Sequence, residues 1–281
     1  MSGKPSADRV VWSSTLVRIA AFRCPLTDPH FRDSGPARNW CFVFPRTAVK
    51  IEHEHEPAFT ANPNVVTFYN RDQAYQRHAI SADGDRCDWF GVEPDMARDV
   101  VREFDPDVDR RPEWPFRMVR AWSDTPTYLL QRRIFRAVSA EGWDDTLAIE
   151  EAVIQLLERV IRCAYRGTGT PRTRVSASRQ REVAHLVETL LSRDWRETVR
   201  LQDLAAEAGL SVYHLCRTFR RATGASIHQY RNRLRVRSCL EPVWDTATPL
   251  TDIALESGFY SHSHFTGAFR REFDRPPVAF R

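Results

Sequence analysis

The sequence predicts an α+β protein: a small antiparallel β-barrel with trailing helices, followed by an all-α unit made of two copies of a helix-turn-helix pattern. Three observations predict it. Between residues 10 and about 110, short alternating apolar runs are separated by Pro, Asn, Asp and Gly, as antiparallel strands and their turns require. From about 127 to 166, apolar residues recur at the three- and four-residue spacing of a buried helix face. From 201 to 273, one helix-turn-helix register occurs twice, with its glycines forty-nine residues apart.

The clearest strands are 40–44 (WCFVF), Val49–His53 and Val65–Tyr69, with turns at Asn62-Pro63-Asn64 and Asp83-Gly84-Asp85. Two helices follow. One covers 127–140. The other covers 144–166, with Asp144 or Asp145 near its cap and Arg166 at its end. Its stripe is Leu147, Val153, Ile154, Leu157, Val160, Ile161 and Ala164. A stripe of this kind fits a homodimer interface and packing onto its own domain equally well. Residues 167–178 (GTGTPRTRVSAS) have almost nothing to bury and read as a linker. The expected domains are therefore 1–166, a linker at 167–178, and 179–281.

In the last unit, each short helix offers apolar residues at helical spacing: Leu201, Leu204, Ala205 and Ala208, then Leu250, Ile253, Ala254 and Leu255. Each meets a glycine, Gly209 or Gly258, where a helix C-terminus needs a left-handed residue. A serine, Ser211 or Ser261, is placed to cap the next helix, which buries Leu215 and Phe219 or Phe265 and Phe269. A capped helix with an outward first turn is the element that a DNA major groove accepts. Any helical hairpin mimics one such pattern; a repeat in the same register points to two groove-reading helices. Ser226 with Gln229 forms a capping box that opens a connecting helix through about Leu240, roughly 24 Å long, with Ile227, Tyr230 and Leu234 inward.

Composition agrees. At 281 residues, 42% hydrophobic and 28% charged, the chain suits two soluble domains. It has no signal-peptide-like start and no apolar run of membrane-spanning length, so a cytoplasmic protein without membrane contact is expected. Six cysteines without a CxxC pair read as reduced thiols. Residues 171–281 hold 18 arginines against 12 acids, a net +6, whereas residues 1–170 hold 23 basic against 25 acidic residues, a net −2. The basic half is the half that carries the helix-turn-helix pair, as a phosphate-binding surface requires.

From roughly Ser178 to Arg281 the chain resembles the AraC/XylS family of bacterial transcription regulators. The resemblance is most specific at Gly258-Phe259, Ser261, His264-Phe265, Ala268-Phe269, Phe273, Pro276-Pro277 and Phe280-Arg281. Three positions depart from the family pattern: Ser226-Ile227 replaces a frequent Ser-Pro, Gly267 stands where an arginine is usual, and Arg200 replaces a small hydroxyl cap. The resemblance implies a cupin-type sensor domain at the front, promoter double-stranded DNA and RNA polymerase as partners, and a small-molecule effector. It places base readers on the exposed first turns: Val212, Tyr213, Cys216 and Arg217, then His262, Ser263 and Thr266. Arg217 is the foremost of these, because a guanidinium pairs bidentately with guanine. Arg220, Arg221, Arg270 and Arg271 suit phosphates. Arg231, Arg233, Arg235 and Arg237 fit a solvated face as well as a DNA contact.

In the first half, strand alternation would put Trp40, Phe42 and Phe44 on one wall, and with Tyr69, His53, His55 and His78 they are the candidate effector contacts. The same aromatics also fit a plain core. His53-Glu54-His55 with His78 has the residue types of a cupin metal site, but the glycine framework of that motif is missing, so no metal and no cofactor are expected. Cys41 and Cys87 read as buried thiols rather than redox sensors. No nucleophile–base pair is evident, and no enzyme is expected. The alternatives are a metal-dependent cupin fused to DNA-binding helices, or a constitutive DNA binder without ligand.

Overall fold

A computed structural model describes residues 8–33, 35–139, 145–166, 174–197 and 199–281. The chain separates into two compact units, Met1–Gly169 and Thr170–Arg281.

In the first unit the strands are β1 (Asp8–Ser13), β2 (Val17–Cys24), β3 (Cys41–Pro45), β4 (Val49–His53), β5 (Phe59–Ala61), β6 (Val65–Tyr69), β7 (Tyr75–Ala79), β8 (Asp85–Val92) and β9 (Arg120–Trp122). Helices α1 (Pro94–Arg102), α2 (Thr125–Ser139) and α3 (Thr146–Arg166) complete the unit. All strand pairs are antiparallel and form two sheets, β1-β2-β8-β3-β6-β9 and β5-β4-β7. The expected turn at Asn62 is present: its side chain accepts from Asn64 N at 2.9 Å and its carbonyl from Val65 N at 3.0 Å.

Every residue of β3 and β6 is buried, because the larger sheet is covered on both faces. One face carries Ile19, Phe42, Phe44, Val66, Phe68 and Phe90 against Val100 and Val101 of α1, Ile134 and Phe135 of α2, and α3. The Phe42 and Phe90 rings stack at 5.4 Å. A buried carboxylate fastens α2 to this face: Asp88 of β8 accepts from Arg132 Nη1 at 2.9 Å and from Arg46 Nη1 at 3.1 Å. The other face carries Ala20, Cys41, Val43, Tyr69, Cys87 and Trp89. Ordinary strand alternation thus divides aromatic β3 between two environments.

Helix α3 keeps its expected period but not its whole expected stripe. Leu147 is 68% exposed, while Ile149 and Leu156 join Val153, Leu157, Val160 and Ile161 in the core. Leu147 sits in the first turn, where Asp145 caps the helix by accepting from Ala148 N at 3.1 Å. Asp144 lies outside the described residues. Most of the stripe packs within its own unit: Val153, Val160 and Ile161 are each 0% exposed.

The expected linker lies outside the described residues as far as 173. From Arg174 the chain is already helix α4 (Arg174–Arg193), since nothing after Pro171 in that stretch breaks a helix. The second unit continues with α5 (Leu201–Glu207), α6 (Val212–Thr223), α7 (Ile227–Asp245), α8 (Leu250–Glu256) and α9 (His262–Phe273). Helix α7 runs past the expected end at Leu240 to Asp245, with Pro242 inside it. It packs against α4, α6, α8 and α9, so it is the central post of this unit. Phe280 closes the chain onto Trp244, Phe269 and Phe273 at ring distances of 5.3–5.8 Å.

Candidate nucleic-acid interface and a cavity in the first unit

Both helix-turn-helix corners are built as their residues dictate. Gly209 and Gly258 take φ of 62° and 74°, the left-handed region where a side chain is strained. Ser211 then caps α6 by accepting from His214 N at 3.3 Å, and Ser261 caps α9 by accepting from His264 N at 3.2 Å. Leu215, Phe219, Phe265 and Phe269 are fully buried and set the roll of each helix. In the short helices, Leu204, Ala205, Ala208, Ile253 and Ala254 are inward, whereas Leu201 and Leu255 are exposed. Between the two corners, the Ser226–Gln229 capping box is complete, with bonds of 2.9 and 3.1 Å in the two directions.

This arrangement turns outward Val212, Tyr213 and Arg217 on α6, and His262 and Ser263 on α9. Cys216 and Thr266 are half-buried, and the Thr266 hydroxyl is enclosed with no hydrogen-bond partner among the described residues. Arg220, Arg221, Arg270 and Arg271 are exposed along the last turns. Tyr260, which the sequence reading missed, is 77% exposed beside the α9 cap and stacks on His264 at 5.7 Å. It precedes the serine cap, so no helical period singles it out. Burial, then Arg271, Arg235 and His228, push the His264 pKa below its ordinary value.

The arginines of α7 are not a solvated face. Arg235 and Arg237 are 3% and 2% exposed. Arg235 donates to the carbonyls of Trp195 at 2.7 Å and of Arg196 at 2.6 Å, tying α7 to the chain that leaves α4. Burial brings its pKa down to about 10. Glu272 of α9 accepts from Arg233 Nε and Arg237 Nε, both at 3.0 Å. A helix covered on nearly all sides has no free face, so its charged residues find partners inside. These contacts fix where α9 stands relative to α7.

In the first unit a cavity of about 470 Å³ opens on the second face of the large sheet. Of the expected effector contacts, Tyr69 alone lines it. Phe42 and Phe44 point to the opposite, helix-covered face. Trp40 lies before β3 begins, and its Nε1 donates to the Glu113 carbonyl at 3.2 Å. The three histidines diverge. His53, the last residue of β4, is 1% exposed with Nδ1 3.0 Å from Gln73 Nε2. His55 follows in a turn at φ 66° with its side chain exposed, because the strand ends before it. His78 pairs with Glu52 at 3.1 Å, outside the cavity. Among the described residues, no three His, Cys, Asp or Glu side chains gather as a metal site would need. Cys41 and Cys87 do line the cavity, with thiols pushed up by burial, Cys41 to about 12.

Two capped helices in one register, flanked by arginines and joined by a buried post, define a double helix-turn-helix DNA-binding unit. A model described as "Helix-turn-helix domain" matches residues 204–281. The regulatory protein SoxS of Salmonella typhimurium is 32% identical over 85 residues, which cover 30% of this chain and 79% of SoxS. The transcriptional regulator Rob of the same organism is 36% identical over 85 residues, and the match spans 29% of its length. The transcriptional activator RhaS of Klebsiella pneumoniae is 27% identical over 162 residues, 57% of this chain and 56% of RhaS. The chain belongs to the AraC/XylS family of transcription regulators.

Proposed function

We propose that this protein is a sequence-specific transcription regulator that binds promoter double-stranded DNA in the cytoplasm. Its activity is modulated by a small-molecule effector held in the first unit, and RNA polymerase is its partner at the promoter. The observation that carries this reading is the pair of capped helices, α6 and α9, whose first turns face outward beside exposed arginines. Helix α7, at 19 residues, is about 28 Å long and suits two readers spaced near the roughly 34 Å repeat of B-DNA.

In this reading Arg217 reads a base, with Val212, Tyr213, Cys216, His262, Ser263 and Thr266 around it. Arg220, Arg221, Arg270 and Arg271 hold phosphates. Tyr260 joins the second reader, where Gly267 offers no side chain. No catalytic role is assigned to the chain. A base-substitution scan by fluorescence anisotropy on the upstream DNA tests the assignment. Arg217→Ala should cost about 1–3 kcal/mol at one base position, as a lost bidentate contact does. Arg270→Ala should instead weaken all sequences evenly and flatten the salt dependence. Sequence-blind losses for both variants would overturn the role of Arg217; salt-independent binding by the wild type would overturn the whole reading.

A further inference from the structure

Helix α7 carries two arginine pairs at four-residue spacing, and their surroundings differ. Arg233 and Arg237 share Glu272 of α9, each with its Nε 3.0 Å from the carboxylate. Arg231 and Arg235 meet no carboxylate among the described residues and donate to backbone carbonyls instead. Arg231 binds that of Glu197; Arg235 binds those of Trp195, Arg196 and Glu197. The Nε of Arg231 is enclosed with no hydrogen-bond partner among the described residues. One side of α7 is therefore neutralised, while the other keeps two partly dehydrated positive charges, which favour an incoming anion.

That charge faces the entry of α9. Arg235 lies 5.9 Å from the Phe259 ring centroid, and Tyr260 acts electrostatically on both Arg231 and Arg235. Exposed Glu197 acts on Arg235 as well, but more weakly than Arg231 and Tyr260 do. Arg271, Arg235 and His228 act on His264 from the other side of the patch. Tyr260 is 77% exposed, yet its direction is set, because its ring stacks on His264 at 5.7 Å and 15°. The Nδ1 of His264 has no hydrogen-bond partner among the described residues, so stacking is the contact this ring supplies here.

We propose that Tyr260 and Arg231 form a seat for one backbone phosphate of the bound DNA, with His264 as the positioning residue that holds the Tyr260 ring. The proposal rests on the DNA-binding reading above and adds a contact that is independent of base sequence.

A phosphodiester carries one negative charge and offers only acceptor oxygens. Half-buried Arg231 answers with charge and N–H donors, and Tyr260 with an O–H donor. Arg235, 3% exposed, adds field without contact. The place of the seat follows from its two elements. It lies between the first turn of α9 and α7, the helix that joins the two readers, so its phosphate belongs to the backbone between the two grooves being read. Such a seat would place α9 where Gly267 contributes no side chain, by backbone contact rather than by base reading.

The test is fluorescence anisotropy of the full chain with the upstream duplex, in which neutral methylphosphonates replace the phosphates one at a time. One methylphosphonate between the two read segments should weaken wild-type binding about tenfold. Tyr260→Phe, which removes only an exposed hydroxyl, should weaken binding about fivefold and equally for every base substitution. Arg231→Leu should weaken it about tenfold and lower the slope of log affinity against log salt by about 0.9. On the duplex with the critical methylphosphonate both losses should largely vanish. His264→Phe keeps a ring beside Tyr260 and should bind as the wild type does. His264→Ala should lose what Tyr260→Phe loses, and the two combined should lose no more. Thermal unfolding checks that each variant is folded; if Arg231→Leu is not, Arg231→Lys should keep the salt slope and lose part of the affinity. A Tyr260→Phe loss confined to one base pair would overturn the proposal, as would wild-type affinity in both Tyr260→Phe and Arg231→Leu. So would losses that persist in full at every methylphosphonate. If no inner methylphosphonate matters while binding stays salt-dependent, the seat fails and the DNA-binding reading stands; if wild-type binding ignores salt, that reading itself fails.

Discussion

The two turn glycines, equivalent in the sequence, should respond very differently to alanine. At Gly209 an added Cβ meets nothing within 4 Å, so Gly209→Ala carries only the left-handed backbone cost, about 1–2 kcal/mol, partly offset by a less flexible unfolded chain. At Gly258 the same Cβ would lie 2.2 Å from the Arg196 carbonyl oxygen and 2.8 Å from Arg235 Nη2. One of these must move, and they are each other's partners at 2.6 Å. Losing a hydrogen bond to a charged donor costs about 1.5–3 kcal/mol. Gly258→Ala should therefore cost about 3–5 kcal/mol in all, against about 1 for Gly209→Ala. Urea unfolding followed by circular dichroism measures both, and Arg235→Gln added to each variant tests the cause. The Gly258→Ala loss should shrink in the Arg235→Gln background, and the Gly209→Ala loss should not. Equal destabilisation by the two alanines, or additivity with Arg235→Gln at both sites, would refute the reasoning.

Gly267→Ala should stabilise the second unit by about 0.5–1 kcal/mol in thermal unfolding, since its Cβ would meet only Arg271 Nη1, at 3.5 Å, within a helix. His53 has its pKa pushed down to about 4 by burial, so the folded chain refuses a proton that the unfolded chain accepts near 6.5. Stability should be whole above pH 6.5 and fall by about 3 kcal/mol as pH drops toward 4, and His53→Leu should remove that part of the slope in urea titrations at stepped pH. Under native conditions a thiol reagent should modify half-exposed Cys163 and Cys216 well before Cys41, Cys87 and Cys239, as mass mapping of the labelled peptides would reveal.

What the sequence made legible follows from how locally each feature is determined. The helix-turn-helix corners need a left-handed glycine, a serine cap and two inward residues within twenty positions, and all of these are read from neighbours in the chain. The capping box at Ser226 is equally local. The roles of the α7 arginines were not legible, because Arg235 is fixed by carbonyls of residues 195 and 196 and Arg237 by Glu272, partners brought near only by packing. Nor does anything adjacent to Leu147 say that the first turn of α3 projects beyond the core it serves.

The cavity marks the sharper boundary. Alternation correctly separates Phe42 and Phe44 from Cys41 and Val43, but it cannot say which set faces a wall of helices and which faces open space, because both are apolar. Size is a misleading guide here. The rings of Phe42, Phe44, Phe68 and Phe90 fill the interface with the helices, where close packing rewards them, and Cys41, Val43 and Cys87 share the side where volume is left over with Tyr69 and Trp89. The polar groups of the cavity were hidden for the opposite reason. Arg77 and Asp85 look like ordinary surface charges on strands that alternate, and only the facing of one sheet by the other turns them inward. In this two-sheet unit, the charges that reach the cavity are thus unremarkable residues of alternating strands, while Phe42 and Phe44 hold the large sheet to its helices.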